Sequence, residues 1–426
     1  MKTHFAFGKN GIQVEAPAGF DCRLIQSRAA TALDDAQAAL EAALDRPIHS
    51  EPIEKLAAGR RTAAIAVCDI TRPAPNRVTL PHVLRRLHAA GIPKDGITIL
   101  IATGLHRAAT PEELDVILGP DIASAYRVVS HDARDFAAHR AVGTTRRGTP
   151  VYVDERFAAA DLHITLGFIE PHLMLGFSGG RKLIVPGVAA QETIKVIHSP
   201  RFMREPLSTE GSIQGNPLHE ELLEAAALAR HDFMLDVTLT RERAISGVFA
   251  GHPVKAHAAG VEFMVAHSLT PLDGLFDAAI TSSAGYPLDL TFYQCLKGLT
   301  AAQHFVKPGG KILLLGECAE GIGSPEYARL LRSYRGHAEF LKEIEHQPVE
   351  IDQWQLEKMA LAGLKNELLF YTPGAPRHAL GSLGANAFSA IQEAVAALTR
   401  GLAPGARIAL VPEGPYTFAR AMPAYA

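Results

Sequence analysis

Two short polar clusters in the first quarter of the chain contain residue types that can bind anions and move protons. The first reads CDITRP and contains Asp69 and Arg72; the second reads TGLHR and contains Gly104 and His106. An arginine offers a planar fork that fits a carboxylate or a phosphate. A histidine titrates near neutral pH and can act as a general acid or base. The alternatives are that Arg72 only forms a structural pair with an aspartate and that His106 is only a surface residue of its loop.

The third cluster is denser and runs from Gly167 to Gly187. It contains His172 in the segment EPH, then Gly179, Gly180 and Lys182 in the segment GGRK. Backbone N–H groups of a glycine turn and two cations can meet a phosphate, although the Walker A pattern is absent. Lys182 is alternatively a nucleophilic amine, provided that burial or neighbouring cations lower its pKa. A glycine turn beside surface cations remains the simplest alternative.

Further candidates lie later in the chain. His198 stands at the end of a predicted helix, where it is either a metal ligand or a partner of the helix dipole. Tyr293, Gln294 and Lys297 have i,i+3 and i,i+4 spacing, which predicts one shared helix face that is either functional or simply solvated. Trp354 is the chain's one tryptophan and lines either a core or a pocket.

The elements that must position these residues alternate between strand and helix. Apolar runs predict strands over Ala63–Cys68, Ile97–Ala102 and Leu162–Phe168, and each of the three clusters follows one of them. This β-α-β pattern favours an α/β fold with mainly parallel sheets, in which ligands bind beyond the carboxyl ends of the strands.

A second alternation of strand and helix patterns begins near Pro271, which predicts two α/β domains. Residues 1–270 form the first, and residues 271–426 form the second, except that the last residues are free to return to the first. The second begins with a strand over Ala278–Ser282 and a helix over Leu290–Phe305. A turn at Pro308-Gly309-Gly310 and a strand over Lys311–Leu315 follow. Near the N-terminus, Asn10-Gly11 predicts a hairpin.

Composition narrows the protein class. The 426 residues include 42 Lys and Arg against 45 Asp and Glu, so the formal net charge is −3 and no nucleic-acid partner is expected. The apolar runs are too short to span a bilayer, and no signal peptide is apparent, so no membrane association is expected. Four separated cysteines predict reduced thiols in the cytoplasm. The 19 histidines suggest proton transfer or metal binding without saying which of them matter.

In their order along the chain, the motifs resemble those of the nickel-dependent lactate racemase family. They are DxTRP, TGLHR, EPH, GGRK…PG, IHSP and YQxxKG, and they extend over about residues 60 to 360. The resemblance implies two α/β domains with the active site in the cleft between them. It also implies racemisation or epimerisation at C2 of a 2-hydroxy acid through a 2-oxo acid. The α-hydrogen then leaves as hydride to a nickel pincer nucleotide (nickel with pyridinium-3,5-bisthiocarboxylic acid mononucleotide).

The resemblance assigns the cofactor and proton-transfer roles residue by residue. Lys182 is the covalent anchor of the cofactor, beside Gly179 and Gly180, and His198 is the nickel ligand. His106 and His172 are the paired acid/base residues.

The remaining roles concern the substrate. By the same resemblance, Arg72 takes the substrate carboxylate, supported by Asp69, which alternatively contacts the cofactor. The other substrate-binding residues are Tyr293, Gln294, Lys297 and Trp354. Separate proteins make the cofactor and are therefore expected partners, and the oligomeric state is open.

Three alternatives remain open at this stage. One is a sugar-acid 2-epimerase of the same family, although Leu173, Met174, Phe177 and Trp354 as apolar walls would favour an alkyl or aryl substrate. Another is a nucleotide-cofactor binding protein without turnover, which needs neither His106 nor His172. The third is a Schiff-base enzyme that uses Lys182, for example with pyridoxal phosphate.

Overall fold

The computed structural model describes residues 2–28 and 30–421. The strands are, in chain order, β1 Lys2–Phe5, β2 Ile12–Glu15, β3 Asp21–Leu24, β4 Ala63–Cys68, β5 Ile97–Ala102, β6 Arg127–Ser130, β7 His139–Thr144, β8 Pro150–Asp154, β9 Leu162–Phe168, β10 Pro171–His172, β11 Gly176–Phe177, β12 Phe233–Leu239, β13 Ile245–Gly251, β14 Thr270–Leu272, β15 Phe276–Ser282, β16 Val306–Leu315, β17 Glu367–Tyr371, β18 Arg407–Val411 and β19 Ala419–Ala421.

The α-helices alternate with these strands along most of the chain. They are α1 Ala36–Asp45, α2 Ile53–Ala57, α3 Asn76–Ala89, α4 Pro111–Leu118, α5 Pro120–Ala125, α6 Glu155–Ala158, α7 Gln191–Ile197, α8 Pro200–Met203, α9 Pro217–Leu228, α10 Pro253–Ser268, α11 Phe292–Ala302, α12 Pro325–Ser333, α13 His337–Glu343, α14 Gln353–Gly363 and α15 Ile391–Thr399.

The first compact unit is built on a six-stranded sheet and is called the six-stranded unit below. Its described residues are 30–197 and 205–267, and its strand order is β13-β12-β9-β4-β5-β6. Every neighbouring pair is parallel except β12–β13. Strands β4 and β9 are buried along their whole length, as expected when both faces of a parallel sheet are covered. The predicted bounds of β4, β5 and β9 are confirmed.

The second compact unit, called the five-stranded unit, contains residues 2–28, 198–204 and 268–421 of the described chain. Its sheet has the order β17-β16-β15-β18-β3, and all neighbouring strands are parallel. Apolar side chains of α11, α12 and α14 cover one face of this sheet in a single core cluster. The prediction of an α/β fold with mainly parallel sheets is confirmed.

The observed units differ from a single division at residue 270. Strand β3 pairs with β18, with Asp21 opposite Arg407, so residues 2–28 belong to the five-stranded unit rather than to the first domain. Residues 198–204 also lie there. Both assignments depend on contacts between distant parts of the chain, which local sequence patterns do not show. Strand β19 pairs with β14 in the same unit, and residues 422–426 lie outside the described chain.

Local patterns predicted some features well and others poorly. The hairpin β1–β2 is confirmed, and Gly11 has the positive φ of 72° that favours glycine there. The turn predicted at 308–310 is wrong, because these residues lie within β16. Pairing between β15 and β16 steps from Phe276–Val306 to Ala278–Lys311, so the glycine pair forms a bulge instead. In the part of the chain described, no helix combines the length and the apolar character needed to cross a membrane.

Candidate active site

Three loops of the six-stranded unit leave the same edge of its sheet. They follow β4, β5 and β9, which are neighbours in the order β9-β4-β5 and run parallel. The carboxyl ends of parallel strands meet at one edge, and that edge is where ligands bind in such folds. The sheet topology therefore gathers the three polar clusters that the sequence separates by about a hundred residues.

A histidine–carboxylate pair joins the first two loops. His106 Nδ1 lies 2.7 Å from Asp69 Oδ2, and the Thr71 hydroxyl donates to Asp69 Oδ1 at 2.7 Å. Asp69 is buried, which by itself raises its pKa, but the hydrogen bonds from His106 and Thr71 and the positive charge of Arg72 outweigh this effect and lower the pKa of Asp69. An ionised Asp69 accepts the Nδ1 proton, so the neutral His106 ring presents an unprotonated Nε2. That nitrogen can take a proton.

His172 is held in the opposite arrangement. It ends β10, which pairs with β11 in a short hairpin, and its Nδ1 accepts from the backbone N–H groups of Met174 and Leu175, both at 3.3 Å. A neutral ring that accepts at Nδ1 carries its proton on Nε2. Gly176 closes this hairpin at φ 75°, where a Cβ atom would lie 2.1 Å from the Ser212 carbonyl oxygen. His172 Nε2 is thus set to donate a hydrogen bond, whereas His106 Nε2 is set to accept one.

Lys182 lies on a short 3₁₀ turn, Gly180–Leu183, beyond β9. Removal from water and then the positive charge of Arg72 lower the pKa of the Lys182 amine to about 8. Its side chain keeps partial exposure. At neutral pH a substantial fraction of this amine is therefore uncharged and nucleophilic, unlike an ordinary lysine.

A buried aspartate supports the lysine turn. Asp236 of β12 accepts from the Gly180 N–H at 2.8 Å, and a Cβ atom at Gly179 would lie 2.2 Å from its Oδ2. Burial raises the pKa of Asp236 to about 7. Sequence reasoning missed Asp236, although an acidic residue within the apolar run FMLDVTL was the available signal. The adjacent Arg181 is also buried and donates to backbone carbonyls of Leu175 and Phe177.

Arg72 and Glu170 complete this edge of the sheet. Arg72 Nε lies 3.9 Å from Glu170 Oε1, which is a loose ion pair. A guanidinium has the planar fork geometry that fits an anion. Glu170 was quoted in a motif but not singled out. Phe177 has no exposed surface, so it packs in the interior of the unit and is not the apolar pocket wall that the sequence suggested.

A second group of candidates lies in the five-stranded unit. His198 packs against Trp354 with ring centroids 4.5 Å apart, and the Trp354 indole N–H donates to the Tyr293 hydroxyl at 3.3 Å. On α11, Tyr293, Gln294 and Lys297 are the partly exposed positions in a mostly buried helix, as their spacing predicts. Gln294 Oε1 is buried and has no hydrogen-bond partner among the described residues, so it can accept from a ligand.

The predicted site residues thus fall into two sets, one in each unit. The six-stranded unit contains Asp69, Arg72, His106, His172, Gly179, Gly180 and Lys182. The five-stranded unit brings together His198, Tyr293 and Trp354, with Gln294 and Lys297 on the same helix as Tyr293.

Each unit, taken by itself, contains one residue type that a covalently attached, metal-containing group would need. The six-stranded unit has the amine of Lys182, whose pKa is lowered, and the five-stranded unit has the imidazole of His198, a side chain that suits nickel among other metals. Within the described residues, no cluster of three or more His, Cys, Asp or Glu side chains is arranged to hold a metal ion.

Comparisons with known proteins place the chain in one family. Residues 7–211 match the lactate racemase N-terminal domain, and residues 274–417 match the lactate racemase C-terminal domain. A lactate racemase of Thermoanaerobacterium thermosaccharolyticum is 35% identical over 336 residues, which is 78% of each chain. A lactate racemase of Lactiplantibacillus plantarum is 33% identical over 381 residues, or 89% of each chain.

Solved structures agree. The lactate racemase apoprotein from T. thermosaccharolyticum superimposes with a TM-score of 0.91 at 29% identity, covering 99% of this chain and 100% of the other. A Thermotoga maritima protein shares the fold at 16% identity and a TM-score of 0.66, covering 88% of this chain and 99% of the other. This chain therefore belongs to the lactate racemase family and is an isomerase.

Proposed function

We propose that this protein inverts C2 of a 2-hydroxy acid, with lactate as the first candidate substrate, using a nickel pincer nucleotide linked to Lys182. The observation that carries the proposal is the pair of histidines with opposite proton arrangements at the sheet edge that holds Lys182. His106 Nδ1 lies against buried Asp69, so its Nε2 is the unprotonated nitrogen. His172 accepts hydrogen bonds at Nδ1, so its proton is on Nε2. Lactate is the first candidate substrate because both relatives are named lactate racemases.

The histidines act on the substrate hydroxyl, not on its C–H bond. The α-hydrogen of a 2-hydroxy carboxylate is very weakly acidic, so direct abstraction by a base of pKa near 6.5 is steeply uphill. His106 instead removes the hydroxyl proton, and Asp69 stabilises the resulting imidazolium. The 2-oxo acid that forms is planar and can be reduced on either face. When the opposite face is used, His172 enters the step as an imidazolium, returns a proton to the oxygen and is left neutral. His106 keeps the proton that it removed until the reverse reaction.

The cofactor supplies the redox step: when bound, it accepts the α-hydrogen as hydride and returns it. The residues proposed to hold it are Lys182, through a thioamide, and His198, through nickel. At Gly179 a Cβ atom would lie 2.2 Å from Asp236 Oδ2, and the Gly180 N–H donates to the same oxygen, so both glycines lie directly against Asp236. The protein's contribution is position and charge.

Substrate binding is assigned to residues of both sets. Arg72 takes the carboxylate, since a guanidinium matches that geometry. Gln294 offers a buried acceptor, and Lys297, Tyr293 and Trp354 complete the set on and beside α11. A sugar-acid 2-epimerase would use the same residues and reaction and would differ only in the side chain of its substrate.

We further propose a cytoplasmic location and cofactor-synthesis proteins as partners. All four cysteines are free thiols, which suits a reducing compartment. A carrier protein without turnover would have no use for the Asp69–His106 pair, whose geometry is that of a general base, and this pair favours the enzyme.

The test is incubation of cofactor-loaded protein with single enantiomers of lactate, longer 2-hydroxy acids and sugar acids. We expect loss of enantiomeric purity with at least one, and a loss of about 100-fold or more in rate for His106→Ala. If none of these acids loses enantiomeric purity, the proposed racemase or epimerase activity is refuted. A His106→Ala variant as fast as the parent refutes the role of His106 as the general base. Intact mass and nickel content separate a thioamide-linked nickel adduct from a pyridoxal Schiff base.

A further inference from the structure

The segment that carries His198 is fastened to the five-stranded unit. Residues 198–204 lie in that unit, although the chain on either side of them, up to Ile197 and from Glu205, lies in the six-stranded unit. Helix α8 within the segment packs on α14. Phe202 and Met203 of this seven-residue segment are buried, and polar contacts hold its ends as well.

A buried ion pair makes the first of these contacts. Arg204 Nε donates to Glu357 Oε1 at 2.8 Å, and Arg204 also donates to the Leu341 carbonyl oxygen. The Glu357 side chain has no exposed surface, and its Oε2 has no hydrogen-bond partner among the described residues. Glu345 adds a longer ion pair to Arg204, at 3.5 Å. The buried Glu357 carboxylate therefore pairs with the last residue of the segment 198–204.

The next residue of α14 makes the second contact. Lys358 is buried, and its Nζ donates to the Met203 carbonyl oxygen at 2.7 Å. A consecutive Glu and Lys that are both buried on one helix cost free energy unless each charge is paired or hydrogen-bonded. Here both point their polar atoms at the last two residues of one short segment.

The same helix supports the other end of the segment. Trp354 lies one turn before Lys358 on α14, and its indole packs against the His198 ring at 4.5 Å between centroids. Helix α14 thus contacts the segment at His198 through an aromatic face and at its last residues through a charged pair. The position of the imidazole relative to the indole depends on both ends being held.

We propose that Arg204, Glu357 and Lys358 are positioning residues that hold the His198 imidazole against Trp354. This inference rests on the proposed function only where it extends to nickel. They touch neither substrate nor metal in this account; they fix the backbone that carries the metal ligand. Supporting residues of this kind change metal affinity by about 10- to 100-fold when they are removed.

The alternative is that these contacts stabilise the fold and have no bearing on His198. Removing one partner of a buried ion pair destabilises a protein even without a functional role, because the other charge stays buried. Stability alone cannot distinguish the two. The readout must report the imidazole itself.

The chain's one tryptophan provides that readout. With ¹⁵N-labelled tryptophan, the unloaded full-length protein gives one indole N–H resonance, and His198→Ala sets the resonance position that the absence of the imidazole produces. We expect Arg204→Met/Glu357→Met and, separately, Lys358→Met to move the resonance toward the His198→Ala position. The double variant replaces both charges of the Arg204–Glu357 pair with side chains of similar length, so neither partner is left charged without the other. Lys358 keeps its hydrogen bond to the Met203 carbonyl oxygen.

The matched control removes an ion pair elsewhere in the same unit. Lys307→Met/Asp277→Asn eliminates a 2.6 Å pair at the start of β15 and should leave the indole resonance at the parent position. In cofactor-loaded protein, we expect the three positioning substitutions to release nickel about tenfold faster than the parent and the control.

A lower melting temperature with an unmoved indole resonance in both the double variant and Lys358→Met overturns the proposal. If the double variant does not fold, Lys358→Met decides. If the parent takes up no nickel and racemises nothing, the proposed function fails, but the resonance of the unloaded variants still decides whether the contacts position His198.

Discussion

The Lys182 amine provides the most quantitative prediction, because its surroundings lower its pKa from an ordinary 10.5 to about 8. The fraction of neutral amine at pH 7 rises with that shift. A difference of about 2.5 pH units corresponds to roughly 300-fold more neutral amine than in an unperturbed lysine. Any reaction that needs the amine lone pair, including attachment of a thioacid, should benefit by that factor.

The assay is competitive acylation with a trace of acetic anhydride at pH 6 to 11, read by peptide mass spectrometry in unloaded protein. We expect Lys182 to react with a midpoint near pH 8. Exposed Lys55, whose pKa is raised by its pairing with Glu51, should react with a midpoint well above that of Lys182. Buried Lys358 is the matched control, because burial lowers its pKa to about 8 as well but leaves it inaccessible, so it should remain unmodified.

Arg72→Gln separates the two causes of the shift. Desolvation is the larger and Arg72 the second, so the variant should raise the Lys182 midpoint without restoring it to 10.5. A parent midpoint for Lys182 as high as that of Lys55 would refute the reasoning about its environment. An unchanged midpoint in Arg72→Gln would refute only the role of Arg72.

Three further predictions concern the groups around the lysine. Asp69→Asn should lower kcat in cofactor-loaded protein by at least about 100-fold, because His106 loses the ionised acceptor that sets its tautomer; steady-state kinetics measure this. Gly176→Ala should destabilise the protein by more than about 1 kcal/mol in urea unfolding and should also slow turnover, because a Cβ atom meets the Ser212 carbonyl. Asp236→Asn should change the pH dependence of stability. The folded-state pKa of Asp236 is raised to about 7, so the folded protein holds a proton that the unfolded chain has lost, and parent stability falls as pH rises from 3.8 to 7. Between pH 5 and 7.5 the parent should lose about 2–3 kcal/mol relative to the variant in the free energy of unfolding, whereas a constant difference would contradict the assignment.

The polar clusters at the carboxyl edge of the six-stranded sheet could be predicted in large part, because each one depends on residues that are neighbours in the sequence. Strands β4, β5 and β9 are continuous apolar runs, and the polar cluster after each of them follows directly in the sequence. Parallel pairing then aligns their carboxyl ends. The shared face of Tyr293, Gln294 and Lys297 was equally predictable, since it requires only helical spacing.

The features that escaped prediction depend on partners far away in the sequence. Strand β3 finds β18 nearly four hundred residues later, which no local pattern indicates. The tautomers of His106 and His172 are set by Asp69 and by two backbone N–H groups, and a sequence does not show which ring nitrogen faces which partner. Asp236 was a visible anomaly in an apolar strand, but its contact with the lysine turn required the fold.

The account's central claim is that the α-hydrogen travels as hydride while the histidines handle only the hydroxyl proton. The direct test is racemisation of single-enantiomer lactate deuterated at C2, in ordinary water, by protein loaded with the nickel pincer nucleotide. We expect the product to lose enantiomeric purity and to keep its deuterium at C2. Racemised lactate carrying solvent hydrogen at C2 would contradict the claim, because it would mean that a base, and not a hydride acceptor, removes the α-hydrogen.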